Sequence, residues 1–172
     1  LSVFATGIRL EPLLRIGGIW RNVPAADVGG VFDRVVSALP RTTPSVRQLL
    51  AQRLRAPGGV TAAPVGGGFA VPHPSARVAL GRDAGTVALL FLREGMLLPE
   101  PPADGVPVTR LFFFVAPSPR AHLDLLGRLS RLLSRGPVRD VLTEGATDGE
   151  IFHAVASLDD ELAGPSARAD AS

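Results

Sequence analysis

Two histidines carry most of the chemistry open to this sequence. The first closes Gly66-Gly67-Gly68-Phe69-Ala70-Val71-Pro72-His73-Pro74, a glycine run, a short apolar strand and a histidine between prolines. A neutral imidazole keeps a free lone pair on one ring nitrogen and is a nucleophile for phosphorus. Pro72 fixes its own φ and biases Val71 toward extended geometry, and Pro74 does the same for His73. The ring is therefore carried on a stiffened backbone and loses less entropy on reacting. The glycines leave room for a phosphoryl group or a large partner to approach the main chain. The same residues also describe a strand entered through a glycine turn with His73 merely at its end, and spacing alone does not choose between the two.

The second histidine lies in Ala116-Pro117-Ser118-Pro119-Arg120-Ala121-His122-Leu123. Ser118 is a natural N-cap and Pro119 a natural first helical residue. His122 then falls in the first turn, where free backbone N–H groups and the helix dipole favour anions. It shares a helical stripe with Leu125, Leu126, Leu129 and Leu133, so it faces the interior. On these residues alone it reads first as a core-edge histidine hydrogen-bonded to a carbonyl. Arg128, Arg131 and Arg135 fall on the other side as a solvated face, with an acidic partner as the alternative use. His153 has no partner signature, and the three histidines lack metal-ligand spacing.

Several elements must position these residues. Leu1 to Arg15 reads as an arm or short helix ahead of a domain over 16–163. Ile19 to Val23 alternates as a strand ended by Pro24, with Trp20 as a packing residue. Asp27 is the expected N-cap of a helix to about Leu39, and Thr43 that of a helix from Pro44 to just before Pro57. Val60 to Val65 is weakly extended, and Phe69 to Val71 is the strand that delivers His73. Thr86 to Leu92 and Leu111 to Val115 are apolar runs too short for typical helices, as expected of central strands covered on both faces. Leu98 to Gly105 is a proline-rich loop. Val138 to Leu142 reads as a helical turn, and Thr147 caps a last helix to about Leu162. A small, polar, disordered tail is expected over 164–172. Strands separated by helices make an α/β fold, a mixed β-sheet flanked by helices on both faces.

The 172 residues suffice for one domain with a full core. A pI of 10.8 invites a nucleic-acid reading. The net charge, however, is only +2, from 18 basic and 16 acidic residues. All the basic residues are arginine, and Tyr and Cys are absent, so nothing titrates between His and Arg to lower the pI. Direct nucleic-acid binding by this domain is not expected. Without cysteine there is no disulfide, thiolate catalysis or zinc–thiolate site, in keeping with a reducing cytoplasm. The longest apolar runs fall far short of the roughly 18 residues of a membrane span, so no membrane insertion is expected. No secretory signal is visible, and a start at Leu1 suits a chain processed or cut from a longer polypeptide. No repeat, P-loop, GxSxG elbow, HExxH helix or EF-hand loop is present.

With both histidines placed, the order of elements from about Gly17 to Leu162 resembles the IIA domain of the bacterial phosphoenolpyruvate-dependent sugar phosphotransferase system. The branch is the mannitol and fructose type, which includes the nitrogen-regulatory IIA proteins. Two motifs in the right order carry the resemblance. Gly68-Phe69-Ala70-Val71-Pro72-His73 is similar to the phosphohistidine motif. Pro107-Val108 through Phe114-Val115-Ala116-Pro117 leads to Ala121-His122-Leu123. The resemblance implies a mannitol-type IIA-like phosphotransferase fold. It implies that His73 accepts a phosphoryl group from the phosphocarrier HPr or a paralogue and passes it to a IIB domain or uses it as a signal. His122 would be the second active-site histidine, stabilising the phosphate, with no metal or cofactor required.

One departure stands out. The family usually has an Arg-Glu pair roughly sixteen residues before the reactive histidine, a place that falls here near Pro57-Gly58. Arg55 would reach the phosphate if two residues are inserted in the loop, but no acidic partner follows it. With no IIB or IIC sequence beside it, a cytoplasmic, regulatory phosphotransfer protein is expected in preference to a dedicated sugar-uptake component. The alternative is a non-catalytic binding module. Attachment to a DNA-binding segment is considered because the text from Gly17-Gly18-Ile19 resembles a subgroup with such a segment ahead of the IIA domain.

Overall fold

A computed structural model describes residues 7–76, 80–81, 84–134, 137–143 and 145–171. The chain opens with α1 (Leu10–Gly17), β1 (Ile19–Val23), a 3-10 turn (Ala25–Asp27), α2 (Val28–Ser37) and α3 (Pro44–Arg55). Four short strands follow: β2 (Val60–Thr61), β3 (Pro64–Gly66), β4 (Phe69–Ala70) and β5 (His73–Pro74). Then come β6 (Thr86–Met96), β7 (Val108–Val115), α4 (Pro119–Ser134), α5 (Pro137–Val141) and α6 (Asp148–Ala171). The main sheet has the order β1-β6-β7-β4-β3, and β2 pairs with β5 in a separate antiparallel ribbon. In the main sheet β1 runs parallel to β6 and β4 parallel to β7, while β6–β7 and β3–β4 are antiparallel. This is the expected mixed α/β sheet.

The two central strands explain why their sequences are apolar without alternation. Ala88, Leu90, Leu92, Leu111, Phe113 and Val115 join α2 and α3 in one core. Val87, Leu89, Phe91, Phe112 and Phe114 point the other way, into a core with α1, α4 and α6. A period of two with both faces covered gives a continuous hydrophobic run. Phe113 stacks on Phe32 of α2 at 4.1 Å between ring centroids. A large apolar side chain buried this fully contributes roughly 1.5–3 kcal/mol.

Local signals explain most helix starts. Thr43 Oγ1 accepts from Val46 N at 3.2 Å, with Pro44 in the first turn. Thr147 and Glu150 form a capping box, each side chain accepting from the other's backbone N–H. Asp27 departs from expectation: it sits at the N-cap of α2, but its side chain makes no capping bond. The 3-10 turn leaves it in helical geometry, φ −101° and ψ 0°, unlike the extended backbone of a capping residue. The helix ends at Ser37, slightly before Leu39.

Three further differences have physical causes. Strand β6 continues to Met96, with its polar end, Arg93 to Gly95, exposed. Arg128 is not on a solvated face, since its side chain is only 11% exposed and its Nε donates to Asp124 Oδ1 at 3.0 Å. Asp124 also accepts from Ile8 N, so the N-terminal segment lies over this part of α4. Helix α6 is helical through Ala171, where a tail is expected from Gly164. The apolar stripe that set the expected end is not required for helical backbone. Residues 1–6 of the expected arm, Arg135 and Ser172 lie outside the described residues.

Candidate functional site

The site is built where two parallel neighbours end. Phe69 and Ala70 of β4 pair with Arg110 and Leu111 of β7, so both strands deliver their carboxyl ends to the same edge of the sheet. That edge is where ligands of open α/β sheets bind. Beyond β4 the chain stays tied down. Val71 N donates to Ala63 O at 3.0 Å, and Phe114 N donates to Pro72 O at 3.1 Å. His73 then enters β5, opposite Thr61 of β2. Beyond β7, Ser118 Oγ accepts from Ala121 N at 3.2 Å and Ser118 O from His122 N at 2.9 Å. Ser118 is the helix cap its sequence suggests, and His122 sits in the first turn of α4.

These ties bring the two histidines together. Their ring centroids are 4.8 Å apart, edge to face at 80°. Phe114 supplies a common wall, 5.1 Å from the His73 ring and 5.0 Å from that of His122. Both histidines are 9% exposed, so each is buried except for a small accessible edge. A small pocket against His122 is lined by Leu50, Pro74, Ala116 and Ser118.

One hydrogen bond decides which nitrogen of His73 is available. Nδ1 lies 2.9 Å from Val71 O. A carbonyl oxygen only accepts, so Nδ1 carries the proton and Nε2 of the neutral ring holds the lone pair. The sequence gives no sign of this bond, because it depends on the turn between Val71 and His73. The wall role of Phe114 was equally hidden. Its signal is β4–β7 adjacency, which neither strand reveals alone. Thr61 Oγ1 and Ser75 Oγ, 2.8 Å apart, add hydroxyls beside His73.

Arg55 is placed differently from the histidines. Its Nε donates to Asp33 Oδ2 at 3.0 Å, linking α3 to α2, and 64% of its side chain is exposed. Its bond partner is thus Asp33 and not the histidine pair. His153 is exposed on α6. Among the described residues, no group of three or more His, Asp or Glu side chains is placed to hold a metal ion.

A mixed sheet with a histidine pair at the joint end of β4 and β7 has the fold of the IIA domains of the phosphotransferase system, of the mannitol and nitrogen-regulatory type. The nitrogen regulatory protein IIA-Ntr of Neisseria meningitidis matches with a TM-score of 0.58 and 22% identity, over 84% of this chain and 97% of that one. A putative PTS IIA from Streptococcus mutans gives 0.62 and 16%, over 89% and 96%. The mannitol-specific cryptic phosphotransferase enzyme IIA of Escherichia coli gives 0.54 and 17%, over 87% and 99%. In sequence, the chain is 29% identical over 154 residues to a nitrogen regulatory protein of Pseudomonas aeruginosa, spanning 88% of this chain and 97% of that protein. No family model matches the chain. The resemblance read from the two histidine motifs is thereby borne out.

Proposed function

We propose that this protein is a regulatory phosphotransfer component of the phosphoenolpyruvate-dependent phosphotransferase system, phosphorylated on Nε2 of His73. The observation that carries this reading is the buried His73–His122 pair with the His73 Nδ1 proton committed to Val71 O. The donor is the phosphohistidine of an HPr-like carrier. Nε2 attacks phosphorus in line, the carrier's N–P bond breaks, and the carrier ring, protonated on its other nitrogen, leaves with the bonding pair as a neutral imidazole. His73 becomes a phosphoimidazolium whose Nδ1–H now makes a charge-assisted bond to Val71 O. The ring of His122 and the start of α4 stabilise charge on the transferring group, with no metal in the step.

Similarity to a nitrogen regulatory protein along nearly the whole chain favours regulation over dedicated sugar uptake. The phosphoryl group then goes to a IIB domain or marks the protein for a regulatory target. Among the described residues no helix is long and apolar enough to cross a membrane, and the site of action proposed is the cytoplasm, where the carrier resides.

A second reading has one observation in its favour. Arg55 is bonded to Asp33, which suits a IIA-fold module that acts by binding without accepting phosphate. Intact-mass measurement after incubation with phosphoenolpyruvate, enzyme I and several HPr paralogues separates the two. A single phosphate that is acid-labile, base-stable and absent from His73→Ala supports the carrier. No added phosphate on the folded protein with any paralogue establishes the binding module instead.

A further inference from the structure

The other end of β4 holds two guanidinium groups with no carboxylate between them among the described residues. Arg110 of β7 lies against the Phe69 ring at 3.9 Å, and Arg139 of α5 approaches the same ring at 5.9 Å. Arg110 is held by two carbonyls, its Nη1 donating to Leu142 O at 2.7 Å and its Nη2 to Gly67 O at 3.0 Å. Its Nε is buried and has no hydrogen-bond partner among the described residues. The Arg139 guanidinium makes no hydrogen bond or ion pair among the described residues. Burial first, and then the neighbouring Arg139 charge, hold the Arg110 guanidinium below its ordinary value, so the two cations feel each other.

Asp104 is the acid that feels Arg139, but its oxygens serve the chain. Oδ2 accepts from Gly67 N at 2.8 Å and Oδ1 from Val106 N at 3.1 Å. Gly67 has φ +66°, and a Cβ there would run into the Arg139 guanidinium, so glycine is what lets this arginine lie over the turn. Beside Arg110 is a cleft of about 310 Å³ bounded by Phe91, Leu92, Thr109 and Thr143. A half-buried cation with an unsatisfied N–H is costly, and an anion supplies both the missing acceptor and the countercharge, where a water supplies the acceptor alone.

We propose that Arg110 and Arg139, with the hydroxyls of Thr109 and Thr143, form a binding site for a small molecule bearing a phosphate group. Two cations match a phosphate monoester, which carries roughly −1.5 to −2 at neutral pH, better than a monocarboxylate that leaves one charge uncompensated. Arg139 closes over the anion that Arg110 Nε contacts, and the cleft beside Arg110 accepts the organic part. This site lies before β4, whereas His73 follows it, and it does not depend on the phosphotransfer reading.

The test is a titration of the full chain with inorganic phosphate, followed by ¹⁵N–¹H signals of the arginine Nε–H groups and the Gly67 and Gly68 amides. Acetate is the control, and wild type is compared with Arg139→Gln, Arg139→Lys and His73→Ala. The expected result is a saturable shift at Arg110 Nε–H, undiminished in His73→Ala. It is weakened about tenfold or more in Arg139→Gln and by less in Arg139→Lys, which keeps the charge but not the fork. Lysine also keeps the test open should glutamine disturb the fold. Shifts that stay linear, that saturate only at His73 and His122, or that neither Arg139 variant alters would overturn the proposal. An equal response to acetate would overturn the phosphate assignment.

Discussion

Phe114 offers the sharpest test of the histidine geometry, because its ring touches both imidazoles while its backbone N–H holds Pro72. Phe114→Leu removes the wall and leaves the backbone bond intact. Full truncation of a buried phenylalanine costs about 3–5 kcal/mol, and leucine retains enough volume to reduce that to about 1–2 kcal/mol. Loss of the ring pairs adds about 0.5–1.5 kcal/mol each at most. A domain with roughly 5–15 kcal/mol of stability remains folded, so a change in rate reports geometry. A displacement of about 1 Å can reduce a transfer rate by up to about 10²-fold, and a loss of about tenfold is expected here. Phe112→Leu is the control. That ring is 1% exposed on the same strand and in the same core, but it lies against neither histidine. Urea unfolding measures the stability loss, and rapid-quench intact mass with phosphorylated carrier measures the rate. Comparable stability losses with slowing only in Phe114→Leu support the reasoning. Equal slowing in both, or none in Phe114→Leu, would refute it.

Other consequences follow from single contacts. Since Val71 O holds the Nδ1 proton of His73, the phosphate should reside on Nε2, as read by ¹H–¹⁵N long-range spectra of the phosphorylated protein; attachment at Nδ1 would contradict the tautomer. Thr147→Ala removes half of the capping box on α6 and should lower stability by about 1 kcal/mol in urea unfolding, with phosphate uptake unchanged. Asp159 is 1% exposed, and its oxygens accept from Leu10 N and Glu11 N at 2.8 Å, fastening α1 to α6. Burial raises its carboxyl above the ordinary range, outweighing those amide bonds, so the folded state binds its proton more readily than the unfolded chain. The resulting stability is full below the ordinary carboxylate range and is lost as pH rises through the folded value. Asp159→Asn keeps one acceptor for two N–H groups and should be less stable throughout by about 1–3 kcal/mol, with a gap that narrows over that pH interval. A gap that widens with pH would count against the assignment.

How much of this was legible in the sequence divides along the range of the interactions. Helix starts at Thr43, Ser118 and Thr147 depend on residues within one turn and were readable. So were the central strands, because burial on both faces leaves an unbroken apolar run. Both histidines were visible as candidates, but only the parallel pairing of β4 with β7 makes them neighbours. Asp27 looked like a cap until the preceding 3-10 turn removed the backbone geometry a cap needs. Arg128 looked solvated because periodicity along α4 cannot show that the N-terminal segment lies over it. Asp159 falls among acidic neighbours in a helix, and nothing local says that the start of α1 lies against it. Arg110 was hidden inside an apolar strand for the same reason, since its partners Gly67 and Leu142 come from distant turns.

Arg55 tests how far a resting contact bears on function. It was singled out as a phosphate contact, and it lies in an ion pair with Asp33. That pair is largely exposed on the arginine side, and exposed pairs contribute only about 0–1 kcal/mol. A phosphorylated His73 within reach would compete for the guanidinium through charge-assisted bonds worth roughly 1.5–3 kcal/mol. The Asp33 contact is therefore too weak a tether to exclude transfer, although it is the one feature favouring the binding-only reading. Phe114, Val71 and the start of α4 hold the histidines through buried contacts and backbone bonds, and these do not reorganise at so small a cost. On the proposed phosphotransfer reading, competence would rest on the histidine pair, and Arg55→Ala is expected to slow phosphorylation of His73 without abolishing it, as read by rapid-quench intact mass.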